Sequence, residues 1–350
     1  MLTVITNTPV ISHERSGVGV NNNPELRQEL ILEKINEIPD VDILYIDDMI
    51  SFEWLCNIHD YDYLSFLSKA YTNLFLFDDR DWIDPSGGLV PNHFTKTKPK
   101  NFIPIYKMSG YYASDVMSPI YEDTYKNCMI AANQACKGAE ILCSSYNPRN
   151  IIYALTPSPG HHAKYEEYSG YCFINNACVA AYRMLELGIE KIAILDIDFH
   201  AGNGSAHFAA NHPAFKHKLI ACSIHADPKY EYPSFEGYED DYDDDYIKNI
   251  VLERNTTWIQ YKRALDTVCE FIDMHKINTL IIAFGADTYK DDPDANPLAR
   301  MRLELEDYDM MGKLIRQYFP DVPILVTQEG GYDLDNVPEI VCRFLHGLKI

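Results

Sequence analysis

The sequence predicts an α/β fold in one domain, with a central, mostly parallel sheet and helices on both faces. Three observations carry this. Short apolar runs alternate with segments of helical spacing, the pattern of strands joined by crossover helices. No repeat, low-complexity tract or Gly/Ser/Pro linker divides the 350 residues. A hydrophobic content of 47% supplies ample apolar mass for a sizeable core.

The elements follow in order. Apolar runs that read as strands buried on both faces are Asp42–Ile46, Ile151–Leu155, Ile192–Leu195, Leu219–Ser223, Leu280–Phe284 and Pro323–Val326. Between them, Thr124–Cys143 puts Met129, Ala132, Cys136 and Ala139 on one helical stripe, and Asn176–Leu187 stops at Gly188, a good C-cap. Residues 78–107, with DDRDW, PSGG and the Lys-rich TKTKPK, read as a long loop or insertion. The acidic run Glu239–Tyr246 reads as a solvated loop whose spacing fits no EF-hand. In a parallel sheet, functional residues gather at the carboxyl ends of strands.

The charge balance, 52 acidic against 30 basic residues, is −22 and excludes a classical nucleic-acid binder. It favours cationic partners, although solubility alone accounts for such a surface. The opening MLTVITNTPV has neither a basic n-region nor a long apolar h-region, so a secretory signal is not expected. No apolar run approaches the roughly 18 residues of a membrane span. Nine cysteines, an odd number without a CxxC pair, read as reduced thiols of a cytoplasmic protein, with neither a disulfide framework nor a thiolate zinc site.

The chemistry concentrates at four strand ends. In Ile194-Leu-Asp-Ile-Asp-Phe-His200, Asp196, Asp198 and His200 alternate onto one face. Two carboxylates and an imidazole at a buried strand end need positive charge among them. An oxygen and nitrogen donor set suits Zn²⁺ or Fe²⁺, and equally an Asp cluster that caps the next helix or meets Lys and Arg. The run Leu280–Phe284 delivers Asp287 just past its end, as a further ligand or as a helix N-cap. Pro157-Ser-Pro-Gly-His-His-Ala163 carries His161 and His162 on a turn, and Thr327-Gln-Glu-Gly-Gly-Tyr332 places Tyr332 at the same edge, where it also suits ordinary packing. Together the groups fit metal-assisted amide hydrolysis: a metal-held water, a neutral His as base, a second His as proton donor and a Tyr hydroxyl at the oxyanion.

These motifs, PGHHA, GYCFINN (170–176), DIDFHAGNG, GADTYKDDP and EGGYDL, resemble in kind and order those of the histone deacetylase and acetylpolyamine amidohydrolase superfamily. The similarity runs from about His59 to the C-terminus, and more faintly from Pro24-Glu-Leu-Arg27. The resemblance implies an arginase/deacetylase-like fold with Zn²⁺, or Fe²⁺, on Asp198, His200 and Asp287. It makes His161 and His162 the tandem histidines, supported by Asp196 and Asn203, and Tyr332 the carbonyl-polarising tyrosine. It implies a structural K⁺ held around Asp196, Asp198, His200, Ser223 and Ile224. The Gly170 carbonyl would accept the substrate amide N–H, and Tyr171 and Tyr232 would flank the channel.

Within the superfamily, Ser223–Pro228 with Tyr232–Gly237, and Gly110–Asp115 with Ser118–Ile120, are similar to acetylpolyamine amidohydrolases. That likeness implies a small cationic acetylated amine as substrate and a homodimer in which residues 78–107 narrow the partner's channel. Asp115, Glu231 or an acidic residue of 78–84 would read the distal ammonium. Departures from the family are Ala201 for a second His, Tyr289 for a His, and VLERNTT without the usual Pro-Leu-Pro. The alternatives are a protein acetyl-lysine deacetylase, an arginase-like dimetal ureohydrolase, for which Asp287-Thr-Tyr289 lacks the second Asp, and a non-catalytic binding module.

Overall fold

The computed structural model describes residues 2–8, 24–77, 79–144, 147 and 149–349. Met1, Pro9 and Val10 of the opening segment and Asp78 of the expected insertion lie outside the described residues. Eight strands form one sheet: β1 (Leu2–Thr6), β2 (Val41–Tyr45), β3 (Ile151–Ala154), β4 (Ile192–Asp196), β5 (Leu219–Ala226), β6 (Ile247–Leu252), β7 (Thr279–Phe284) and β8 (Ile324–Gln328). Their order is β2-β1-β3-β8-β7-β4-β5-β6, and every pairing is parallel rather than mostly so.

The continuous apolar runs follow from burial on both faces. Along β4, Ala193 and Leu195 point into one core while Ile192 and Ile194 point into the other. The helices Pro24–Ile35, Trp258–Met274, Leu305–Tyr318 and Val337–Lys349 cover the first face. The helices Thr124–Ser144 and Asn176–Glu186 cover the second, with Met129, Ala132, Cys136 and Ala139 buried as the stripe predicts. Asn175 caps the latter helix by accepting from Cys178 N (3.0 Å), and Gly188 just beyond it has φ +92°.

Two expectations are corrected at the sheet edges. β2 is an edge strand and is not buried on both faces: Leu44 and Tyr45 are exposed. β1 and β6 are strands that the apolar runs did not announce, one lying in the opening segment and the other an edge strand of alternating burial. Residues 79–107 are mostly loop with short 3₁₀ turns at Arg80–Trp82 and Ile105–Met108, anchored by buried Trp82, Leu89 and Tyr106. All nine cysteines are free thiols. Among the described residues no helix is long and apolar enough to cross a membrane.

The strand order positions the site. The chain leaves β3, skips two places to β4, and later fills the gap with β7 and β8. Register aligns Ala154 with Thr327, Thr327 with Ala283, and Ala283 with Asp196. The loops after β3, β8, β7 and β4 therefore leave the sheet side by side.

Candidate active site and metal centre

Asp198 and His200 follow β4, and Asp287 follows the neighbouring β7. Their ligand atoms all lie within 4.8 Å of one another, and all three side chains are buried. His200 Nδ1 stands 3.2 Å from both Asp198 Oδ1 and Asp287 Oδ2. Main-chain amides orient the carboxylates: Gly330 N donates to Asp198 Oδ2 (2.7 Å) and Phe199 N to Asp287 Oδ1 (3.0 Å). The glycine at 330 is required here, because a Cβ there would sit 2.3 Å from Asp287 Oδ2.

The alternatives to a metal fail on this geometry. No helix starts after Asp287 until Leu305, so it is no N-cap. The helix Asn203–Asn211 begins at Gly202 without a side-chain cap. No Lys or Arg among the described residues bonds either carboxylate, and buried Asp287 Oδ2 has only the His200 ring, at 3.2 Å, beside it. Two buried carboxylates converging on one imidazole, with no Lys or Arg between them, fit a divalent cation. Without it, burial and neighbouring Asp198 push Asp287 up to about 8, despite His200. Burial also pushes Asp198 up, but His161 and His200 hold it well below the usual carboxylate range. A second donor group, His161, Cys172 and Glu329, is already satisfied internally. Glu329 Oε2 accepts from Gly160 N (2.6 Å) and His161 N (3.1 Å), its Oε1 accepts from Thr327 Oγ1 (3.0 Å), and the Cys172 thiol donates to Gly170 O.

The loop after β3 brings the two histidines over this trio. His161 Nδ1 bonds Asp196 Oδ2 (3.1 Å), His162 Nδ1 bonds Asn203 Oδ1 (2.7 Å), and the ring centroids are 3.9 Å apart. Their surroundings split their charge. Burial disfavours protonated His161, but with no cation on Asp198 the Asp198 and Asp196 carboxylates outweigh it and carry the imidazole up to about 10. Burial, then the positive His161 and His200, push His162 well below its ordinary value. An imidazole paired with a carboxylate beside one paired with a neutral amide suits the two halves of acid–base catalysis.

Tyr332 follows β8 and is fixed through its backbone. Its N–H donates to Asp292 Oδ2 (2.7 Å), and Arg27 Nη1 donates to Gly331 O (3.0 Å). Burial, then Asp294 and Asp287, push its hydroxyl well above the ordinary value, so it stays a hydrogen-bond donor. Tyr171 and Tyr332 face each other with ring centroids 6.2 Å apart, and Tyr232 stands edge-on to His162 at 4.8 Å. The cavity between them is lined by both histidines, Asp198, His200, Gly170, Tyr171, Tyr232 and Tyr332.

The remaining expected residues divide. Asp196 and Ser223 are register partners on β4 and β5, close to Asp198, His200 and Ile224, and all five are buried. Glu231 lines the cavity, with Oε1 3.8 Å from His200 Nε2. Asp115 has a different task from reading an ammonium. Its carboxylate already accepts from Gly170 N, Tyr232 Oη, Met117 N and Ser118 Oγ at 2.7–3.1 Å, which joins the two channel walls. Asp79, Asp81 and Asp84 do not line the cavity; Asp79 instead bonds Tyr106 Oη (2.6 Å) and Asp84 caps Ser86 and Gly88.

Several residues went unread in the sequence. Glu329 holds the histidine loop, Asp292 and Arg27 hold the Tyr332 loop, and Asp294 lines the cavity. Glu329, Asp292 and Arg27 stood inside the motifs EGGYDL, GADTYKDDP and Pro24-Glu-Leu-Arg27, so the signal was present; Asp294 carried none.

A chain with this fold and site belongs to the histone deacetylase domain family, whose model matches residues 23–348. Within it, the chain is similar to two proteins of Pseudomonas aeruginosa. It is 32% identical to acetylpolyamine amidohydrolase 1, over 85% of this chain and 83% of that one. It is 29% identical to acetylpolyamine amidohydrolase 2, over 92% and 90%. The crystal structure of an acetylpolyamine aminohydrolase from Burkholderia pseudomallei shares the fold, with a TM-score of 0.85 over 99% and 98% of the two chains at 22% identity.

Proposed function

We propose that this protein is a metal-dependent deacetylase that hydrolyses acetylated polyamines. The observation that carries the substrate class is Asp294, a carboxylate in the cavity wall that is not a ligand of the trio, next to Glu231, whose oxygens accept from Tyr232 N and Asn296 N. An acetyl-lysine stem offers Asp294 only methylenes, which leaves its negative charge without a partner. A polyamine offers an ammonium. The names of the similar proteins support the same reading.

Asp198, His200 and Asp287 would hold Zn²⁺ or Fe²⁺, which when bound acidifies a water and polarises the acetyl carbonyl. The residues of the chain supply the rest. His162, neutral, takes the proton of the water at Nε2. His161, held by Asp196, gives a proton to the leaving amine. The Tyr332 hydroxyl donates to the acetyl oxygen as negative charge builds there. The Gly170 carbonyl accepts the amide N–H, while Tyr171 and Tyr232 sandwich the acyl-amine stem. Main-chain oxygens around Asp196, Asp198, His200, Ser223 and Ile224 would hold a structural K⁺.

The reading treats the chain as one cytoplasmic domain with residues 78–107 as an insertion. Exposed Phe75, Leu76, Phe77, Phe94 and Phe102 on and before that insertion support a homodimer joined there; light scattering at the mass of a single chain would contradict it. The purified protein should release acetate from N-acetylputrescine, lose that activity on chelation and regain it with Zn²⁺ or Fe²⁺. Metal-bound protein that hydrolyses neither this amine nor an acetyl-lysine peptide overturns the proposal.

A further inference from the structure

The loop after β5 carries Tyr232 on the cavity wall and, four residues on, Glu236. Glu236 reaches back beneath the catalytic histidines. Its Oε2 accepts from Asn203 Nδ2 (2.8 Å), and its Oε1 accepts from Lys164 Nζ (2.6 Å). Asn203 Oδ1, the other end of that amide, meets His162 Nδ1 at 2.7 Å. Lys164 and Asn203 thus tie Glu236 to the histidine loop and to the start of the helix Asn203–Asn211.

A side-chain amide has one donor end and one acceptor end, whereas a carboxylate only accepts. With its donor end on Glu236, Asn203 has only its acceptor end left for His162. His162 Nδ1 must then carry the ring hydrogen, and Nε2 is bare. Asn203 alone does not enforce this. Turned over, its Nδ2 would donate to Nδ1, and the hydrogen would move to Nε2, where it blocks proton uptake. Glu236 forbids that orientation by setting two oxygens against each other.

We propose that Glu236 is a positioning residue that sets the tautomer of His162 through Asn203, with Lys164 fixing which Glu236 oxygen faces Asn203. The loop bearing it is seated by His225 Nε2 on Gly237 O (2.7 Å) and by Gly237 N and Tyr238 N on Asp241 Oδ2. The Tyr232 wall and the residue that prepares the base therefore share one loop. The inference rests on the reading of His162 as the base.

Glu236→Gln tests it with little change of shape, at a side chain that is 40% exposed. Lys164, a pure donor, keeps the glutamine oxygen, so the glutamine amide faces Asn203 and turns it over. In the metal-loaded full chain labelled with ¹⁵N-histidine, the His162 hydrogen should move from Nδ1 in the natural protein to Nε2 in E236Q. The kcat for N-acetylputrescine should fall about tenfold with KM nearly unchanged. The double variant K164M/E236Q frees the glutamine to present its oxygen to Asn203, and should restore both the tautomer and most of kcat. A purely structural role would not give that rescue. An unmoved hydrogen in E236Q, or a double variant no nearer the natural protein than E236Q, overturns the proposal. A moved hydrogen with an unchanged rate keeps the role of Glu236 and removes His162 as the base, so the two readings fail separately.

Discussion

Tyr332 shows how one side chain depends on groups that never touch substrate. Asp292 and Arg27 hold its backbone on either side, and burial keeps its hydroxyl protonated. Tyr332→Phe removes the donor and leaves Asp198, His200 and Asp287 untouched. It should keep its metal and lose about 10²–10³-fold in kcat, the usual cost of one oxyanion donor, as measured by metal analysis and steady-state kinetics. Asp294 is the matching residue on the substrate side. Asp294→Asn should raise KM for N-acetylputrescine about tenfold, roughly 1.4 kcal/mol, and leave KM for an uncharged N-alkylacetamide nearly unchanged. Equal effects on both substrates would remove Asp294 from ammonium recognition. The sequence exposed the metal trio, the histidine pair and Tyr332 because each sits at the end of an apolar run. Asp294 lies in a loop where neither period nor motif marks it, and its place follows only from tertiary packing.

Loops carry this site, and buried polar residues hold the loops to the helices. His59 is one such tie: its Nδ1 faces Tyr165 O (3.3 Å), and its Nε2 accepts from Asn175 N (3.1 Å), the residue that caps the helix Asn176–Glu186. One donor and one acceptor suit only the neutral ring, and burial takes it down to about 4 from 6.5. A histidine depressed in the folded state contributes stability that is complete above the unfolded value. That stability is lost as pH falls from 6.5 through 4 and totals about 3 kcal/mol. Glu329, pushed up to about 7 mainly by burial, acts with the opposite sign, so the test is a difference. Urea unfolding at pH 7.5 and 4.5 should show His59→Gln losing less stability over that interval than the natural protein, by about 2.5 kcal/mol of that total. Equal losses would show that His59 is not held neutral. The strands legible in the sequence were those whose residues are apolar on both faces. β1 and β6 were not: β1 sits in a short opening segment, and β6 is an edge strand whose alternating burial dilutes its apolar signal. The same edge position explains why β2, though apolar in sequence, leaves Leu44 and Tyr45 in solvent.

At the scale of the whole molecule, fold, charge and site serve one task. The strand order opens a cleft where β3, β8, β7 and β4 end together, and the loops from those four ends supply the catalytic groups. The net charge of −22 surrounds a cavity that itself carries Glu231 and Asp294, so the long-range field and the local wall both favour a cation. The field alone does not separate a polyamine from a basic peptide tail. The wall does, because only a polyamine brings its charge inside. The most direct test is the ratio of kcat/KM for N-acetylputrescine to that for an acetyl-lysine peptide, measured on the metal-loaded protein. A ratio well above one that falls toward one in Asp294→Asn is the predicted result. A ratio below one, unchanged by that substitution, would contradict the assignment of acetylated polyamines as substrate.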